Sequence, residues 1–291
     1  MESITRDIRR GLPWVALPLI FASALRLCLE PTYWSRFYFA WLLLIPAYVT
    51  TQILILRRAA PLTIRLSLLL NFAAINVGYQ MIGVALRSTT AWRADNLVYA
   101  IDCAIFHGDP QRFLTHIQAP WLSTVTILGY IAAFSGCLFY LFLSEAFVLT
   151  PATGRLQLGL MRLYGVGFSG YILLPAAGPA FHHPTLLPAI KHSAFSARLQ
   201  PWVLGNCSHV DVCPSIHAAV CAFTLVWTHR RRPRLFPFLV LPSAALLLGT
   251  VYFQYHYFTD LPFGLLLGTM AALSVSHAKP PSVLSSPGAA G

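Results

Sequence analysis

The chain has 291 residues, of which 57% are hydrophobic and only 10% charged, with a mean hydropathy of +0.65. Soluble domains carry about 25% charged residues, so this chain has too little charge to clothe a soluble globule and too much apolar surface to stay disordered. Its 20 basic and 9 acidic residues leave a net charge of +11, but the arginines fall in small clusters between apolar runs, which excludes a nucleic-acid-binding face and suits a polytopic membrane protein.

A membrane-crossing helix needs about 20 apolar residues. Eight segments approach that length, at 12–28, 37–56, 66–86, 119–149, 160–178, 214–230, 235–255 and 258–277. The expected fold is therefore all-α, a transmembrane bundle of about eight spans. The first span follows Arg6, Arg9 and Arg10 and lacks a small-residue cleavage site, so it reads as a signal anchor. The fourth is long and predicts a tilted helix or one that extends beyond the bilayer. Residues 90–118 mix polar and apolar positions and end in Gly108-Asp-Pro110, predicting an interfacial helix followed by a turn. Residues 179–213 predict a long outer loop rich in His and Pro, and 278–291 a disordered tail. There is no internal repeat.

Eight spans place both termini on one side. That side collects thirteen of the 20 Lys and Arg residues, including Arg230, Arg231, Arg232 and Arg234, and the other side seven. The richer side is expected to be cytoplasmic, with the chain in a plasma (inner) membrane. Six cysteines are too few for a disulfide scaffold. Cys207 and Cys213 alone share a polar loop, where an oxidising compartment would let them pair.

Ionisable residues at membrane depth are costly, so each is a functional candidate. Two clusters fall on the same outer side: Cys213-Pro-Ser-Ile-His217, entering the sixth span, and His256-Tyr-Phe-Thr-Asp260, between the seventh and eighth. The basic 230–234 loop pins the opposite ends of the flanking spans. At about 1.5 Å per residue, Arg232 to His217 covers roughly 22 Å and Pro237 to His256 roughly 28 Å, so the two histidines reach similar depths. Pro214 and Ser215 open a helix whose free N–H groups suit an anion such as phosphate, and His217 lies in its first turn. If 256–260 is helical, Asp260 sits one turn from His256 and holds one ring N–H, leaving the other nitrogen as a nucleophile.

Pro-Ser-x-His followed about 40 residues later by His-Tyr-x-x-Asp resembles the type 2 phosphatidic acid phosphatase superfamily of membrane phosphohydrolases and phosphotransferases. The form PSIH then HYFTDLPFG is most similar to the inositol phosphorylceramide synthase-like branch, with supporting stretches at Ile101–Pro110 and Leu174–Pro179. The resemblance spans roughly 66–277. It implies a six-span catalytic core there, preceded by an N-terminal cytoplasmic segment and two added spans in 1–65. It further implies that His256 attacks phosphorus to form a phosphohistidine, Asp260 orients His256, His217 protonates the leaving oxygen, and Ser215 with nearby N–H groups holds phosphate oxygens. No cofactor or metal is implied, and the partners are a lipid phosphate or phospholipid and the bilayer, with no nucleic acid.

The chain departs from the phosphatase pattern. Thr250 stands where an Arg precedes the nucleophilic His and is counted with the phosphate-binding positions. Ile216 replaces a Gly, and Leu174–Pro179 holds no basic residue. A monoester dianion wants such cations, so their loss suits a phosphodiester headgroup, unless Lys191 or Arg198 substitutes. Asp102, His107 and Asp109 are candidate headgroup contacts. The loop residues His182, His183, His192 and His209 read as lining a substrate entrance; Cys207-x-His209-x₃-Cys213-x₃-His217 fits no common zinc pattern. Glu145 reads as a helix-pairing residue near the cytoplasmic end. Hydrolysis and headgroup transfer both remain open. The rival from another class is a non-catalytic lipid or solute carrier with His217, His256 and Asp260 as a proton relay, although such carriers often show repeats.

Overall fold

The computed structural model describes residues 1–29, 36–87, 93–183 and 190–276. The expected tail at 278–291 lies outside the described residues, as does 184–189 of the outer loop.

Among the described residues eight long helices follow one another: α1 (Glu2–Leu29), α2 (Arg36–Leu56), α3 (Pro61–Leu86), a composite rod of α6 (Pro120–Leu128) and α7 (Phe134–Ala146) joined by π-wound Gly129–Ala133, α8 (Pro151–Leu173), α11 (Ile216–Arg231), α12 (Phe236–Tyr252) and α13 (Asp260–Ser276). Shorter helices α4 (Asp95–Phe106), α5 (Pro110–Leu114), α9 (Pro179–His182) and α10 (Ala194–Gly205) fill the connections. Among the described residues there is no β-strand, only an isolated bridge between Ala176 and Asp211.

Three stretches, Glu2–Arg26, Pro61–Leu86 and Pro120–Leu141, are long and apolar enough to cross a membrane, while Leu43–Leu56, Phe236–Tyr252 and Asp260–Ser276 are apolar but shorter. The chain is a helical membrane protein. Helices α8 and α11 are less apolar for a physical reason: they stand at the centre, surrounded by protein instead of lipid. Buried positions follow almost without a break from Leu156 to Gly165 and from Ile216 to Thr224. A helix enclosed on all sides tolerates Gln157, Thr224 and Ser215 because protein supplies their partners.

Helix starts follow local chemistry. Pro61, Pro110, Pro120, Pro151 and Pro179 each occupy the first turn of a helix, where the missing N–H costs nothing. The fifth long helix begins at Pro151, nine residues before the expected 160, and ends at Leu173, where Leu174-Pro-Ala-Ala-Gly-Pro breaks it. Helix α1 likewise begins at Glu2 and includes Arg9, which donates to the Leu56 carbonyl at 2.8 Å.

Two kinds of glue join the helices. On α13, Gly264 and Gly268 face α11 so closely that a Cβ at Gly268 would lie 1.9 Å from the Ala219 carbonyl oxygen, and one at Gly264 2.2 Å from that of Ser215. Small residues four apart allow this backbone approach. Between α2 and α3, buried Gln52 bonds Ser67 and Asn71, and Tyr48 donates to Asn71 at 2.7 Å. The main core takes in Leu12, Val15 and Leu19 of α1 together with Leu160, Phe168 and Phe223. Glu145 is buried near the basic end of α11, where it accepts from Thr150 at 3.1 Å and lies 3.9 Å from Arg232.

Candidate active site

The expected outer loop proves to be largely helical within its described residues. Ser193 caps α10 by accepting from the Ser196 N–H at 3.1 Å, and α9 follows Gly178, whose φ of 89° only glycine adopts easily. A Cβ there would lie 2.4 Å from the Tyr255 carbonyl oxygen. The loop histidines pack on aromatic rings: His183 on Tyr99, His209 on Phe181, His192 on Phe253. Cys207 and Cys213 are both free thiols, so the disulfide that the loop allowed is not formed.

Ser215 is the N-cap of α11, accepting from the Ala218 N–H at 3.3 Å. That cap starts the helix one residue before Ile216 and puts His217 in its first turn, on the side facing α7. The second histidine is not on a helix. After α12 ends, residues 253–259 form a turn, and Asp260 is the first residue of α13. The His256 and Tyr255 N–H groups both donate to the Thr250 carbonyl, at 3.1 and 2.9 Å, which reels His256 back towards α12. The i,i+4 relation to Asp260 is therefore achieved by a folded turn and not by a helical one.

The result is a continuous hydrogen-bonded chain. Tyr130 Oη lies 2.9 Å from His217 Nε2, His217 Nδ1 lies 3.0 Å from His256 Nε2, and His256 Nδ1 lies 3.0 Å from Asp260 Oδ2. The carboxylate only accepts, so His256 Nδ1 carries a proton and donates to it. With both imidazoles neutral, His256 Nε2 then accepts from His217 Nδ1–H, and His217 Nε2 accepts from the Tyr130 hydroxyl. Every link has one donor and one acceptor, and the lone pair of His256 Nε2 points at His217. His256 and Asp260 are 2% and 0% exposed. Burial alone pulls the His256 pKa down, but the adjacent Asp260 carboxylate outweighs it, and the net shift is upward from the ordinary value.

His217 opens onto a cavity of about 380 Å³ bounded by α3, the Tyr130–Ser135 stretch, α8, α10 and the 206–211 segment. Among the described residues lining it there is no Lys or Arg. Nor do the described residues bring three His, Cys, Asp or Glu side chains together as a metal site.

The other residues singled out from sequence are distributed differently. Thr250 is fully buried, and its hydroxyl donates to the Leu247 carbonyl at 2.7 Å; its contribution to the site is through its carbonyl. Asp102, expected as an exposed headgroup contact, is 0% exposed. Its carboxylate accepts from the Phe258 and Thr259 N–H groups at 2.9 and 2.7 Å, from the Thr259 hydroxyl, and from Gln111 Nε2 at 3.3 Å. It clamps the His256 turn from behind because the interfacial helix turns this face inward. His107 is the exposed left-handed residue ending α4, and Asp109 caps α5 through the Gln111 and Arg112 N–H groups. Lys191 and Arg198 are exposed and do not line the cavity.

Sequence reasoning passed over Tyr130, Asp95 and Asp211. Asp95 accepts from the Ala177 and Gly178 N–H groups at 3.0 and 2.9 Å and from the Tyr257 hydroxyl at 3.0 Å. Seven residues apart on α4, Asp95 and Asp102 bolt the 174–179 segment and the His256 turn to one helix. Scarcity was the available signal: with only 9 acidic residues in the chain, four of them, Asp95, Asp102, Asp211 and Asp260, gather at this end. Tyr130 carried no signal beyond its place in a span, although π-wound turns are frequent at functional sites.

A helical membrane protein that joins two histidines and an aspartate at one end of its bundle has the arrangement expected of a phosphatase-type membrane enzyme. The family model of the PAP2 superfamily matches residues 105–274, and the chain belongs to that superfamily. Membership suggests a phosphatase-type enzyme with a lipid phosphate substrate. No curated protein and no solved structure matches the chain.

Proposed function

We propose that the protein cleaves a lipid phosphodiester through a phosphohistidine on His256, releases one alcohol, and passes the phosphoryl group with its remaining headgroup to water or to an alcohol, the latter being the type of transfer of the inositol phosphorylceramide synthase-like branch whatever the headgroup. The carrying observation is the Tyr130–His217–His256–Asp260 chain facing a cavity whose described lining holds no Lys or Arg.

In this reading the phosphate enters between the two rings. The lone pair of His256 Nε2 attacks phosphorus and forms a P–N bond. Asp260 holds the Nδ1–H and stabilises the positive ring that results. The P–O bond to the leaving group breaks, and the electron pair stays on that oxygen. His217 enters as imidazolium, the form a neighbouring phosphate anion favours, and gives that oxygen the Nδ1 proton. The acceptor then returns its O–H proton to His217 as its oxygen attacks phosphorus, and the P–N bond breaks to restore His256. In this reading Ser215, with the first N–H groups of α11, would hold phosphate oxygens.

The eight helices are proposed as eight spans, with both termini and the 230–234 loop on the cytoplasmic side and the site near the opposite face, in a plasma membrane. Residues 66–277 form the catalytic core, against which α1 and α2 pack. The test is to trap the phosphoenzyme. Purified protein given a phospholipid labelled at phosphorus should hold acid-labile, alkali-stable label that His256→Ala lacks; full label in that variant would overturn the mechanism. Comparing water, inositol, glycerol and ceramide-like alcohols as acceptors then separates hydrolysis from transfer.

A further inference from the structure

The cavity beside His217 has an unusual wall. Six aromatic residues contribute to it: Tyr79, Tyr130, Phe134, Tyr164, Tyr171 and Trp202. Asp211 is the sole carboxylate among its described lining residues, and no Lys or Arg opposes it. That carboxylate is held firmly. Its Oδ2 accepts from the Tyr79 hydroxyl at 2.5 Å, the same hydroxyl accepts from the Ser208 N–H at 3.0 Å, and the backbone is tied by the bridge to Ala176. Among the described residues Oδ1 receives no hydrogen bond, and the residue keeps 9% exposure.

A dianionic phosphate monoester would meet this carboxylate with no Lys or Arg in the described lining to offset it. An acyl chain would suit the rings but would leave Asp211 facing hydrocarbon, which is costly. A cationic group satisfies both features, because ammonium ions are drawn to aromatic faces and to carboxylates alike. The volume of about 380 Å³ lies at the small end of ligand pockets, and suits a headgroup better than a whole lipid.

Resting on the reading above, we infer that this cavity receives a zwitterionic headgroup, with a trimethylammonium end seated between Asp211 and the aromatic wall while the phosphodiester meets His217 and His256. Asp211 is then a specificity-determining residue, placed apart from the reacting atoms.

The experiment uses the full-length protein in nanodiscs and phospholipid donors of one acyl composition, with choline, ethanolamine, glycerol or inositol headgroups, or none. Release of diacylglycerol is the common readout. The choline donor should show a kcat/KM at least tenfold above the glycerol donor. Asp211→Asn should lower kcat/KM for the choline donor about tenfold, chiefly through KM, and leave the glycerol donor within twofold. Equal loss on all donors, or a wild-type preference for uncharged or anionic headgroups, overturns the inference. If Asp211→Asn does not fold, a titration decides: phosphocholine should change tryptophan fluorescence in the wild type but not in Trp202→Phe, at concentrations where glycerol phosphate has no effect, and an equal response to both ligands overturns the inference. His256→Ala separates the two levels. Turnover surviving in that variant removes the mechanism itself, whereas His256-dependent turnover with no headgroup ranking removes this inference alone.

Discussion

The histidine-bearing end of the molecule and the helical trunk beside it are held together by different forces. In the trunk, α11 and α13 meet backbone to backbone through Gly264 and Gly268, and the main core is aliphatic and aromatic. At the histidine-bearing end, buried carboxylates do the joining: Asp95 and Asp102 on α4 take up the N–H groups of Ala177, Gly178, Phe258 and Thr259. Close packing tolerates small shifts in many places and fails gradually. Charged hydrogen bonds to two short segments fail locally, and what they hold is the His256 turn. Damage to the histidine-bearing end should therefore appear in turnover before it appears in stability, and damage to the trunk the other way round.

The largest expected effect tests the histidine-bearing end directly. His256→Ala should reduce turnover by about 10⁴-fold or more, and His217→Ala by about 10²–10⁴-fold, while the unfolding temperature of each stays near that of the parent. A large drop in thermal stability for either would blur the division just drawn.

Asp260→Asn comes next, with a loss of up to about 10⁴-fold expected by analogy with aspartates that hold a catalytic histidine. Its sharper signature is in the pH profile. His256 attacks only when Nε2 is unprotonated, and Asp260 raises its pKa, so the acid limb of the wild-type profile should lie above the ordinary histidine value of about 6.5. Removing the carboxylate's charge should move that limb to lower pH. An unmoved limb would mean another group sets it.

Asp102→Asn should cost about 10- to 100-fold in turnover, because a displacement of about 1 Å at reacting groups has that effect. Because the lost bonds hold one short segment, global stability by denaturant unfolding should fall less than in the trunk variant below. Turnover unaffected by Asp102→Asn would show that the turn needs no clamp. The smallest effect on turnover belongs to the trunk. Gly268→Ala should destabilise by about 1–3 kcal/mol through overpacking, seen as a lower unfolding temperature, with turnover below that temperature changed less than tenfold.

The same contrast explains what could be read from the sequence. The long helices were legible because lipid exposure imposes long apolar runs, and each expected segment falls on a helix, with ends displaced where Arg155 or Arg9 is carried inside one. His217, His256, Ser215 and Asp260 were legible because their spacing is local: a cap two residues from a histidine, and a carboxylate four residues from another. Tyr130, Asp95 and Asp211 lie 87, 162 and 132 positions from His217, Tyr257 and Tyr79, the partners they meet, and nothing in one sequence marks such pairs. Asp102 shows the limit most clearly. Its position on an interfacial helix was readable, but which face of that helix turns inward depends on where the His256 turn packs, and that is a property of the assembled end.

The direction of the hydrogen bonds from Tyr130 to Asp260 has a chemical corollary. At rest the electron pair of His256 Nε2 is sheathed by the N–H of its neighbour, so the nitrogen proposed as the nucleophile is shielded from a stray electrophile. A histidine-modifying reagent such as diethyl pyrocarbonate should acylate exposed His116 well before His256, and should reach the buried ring only after something has prised the two imidazoles apart.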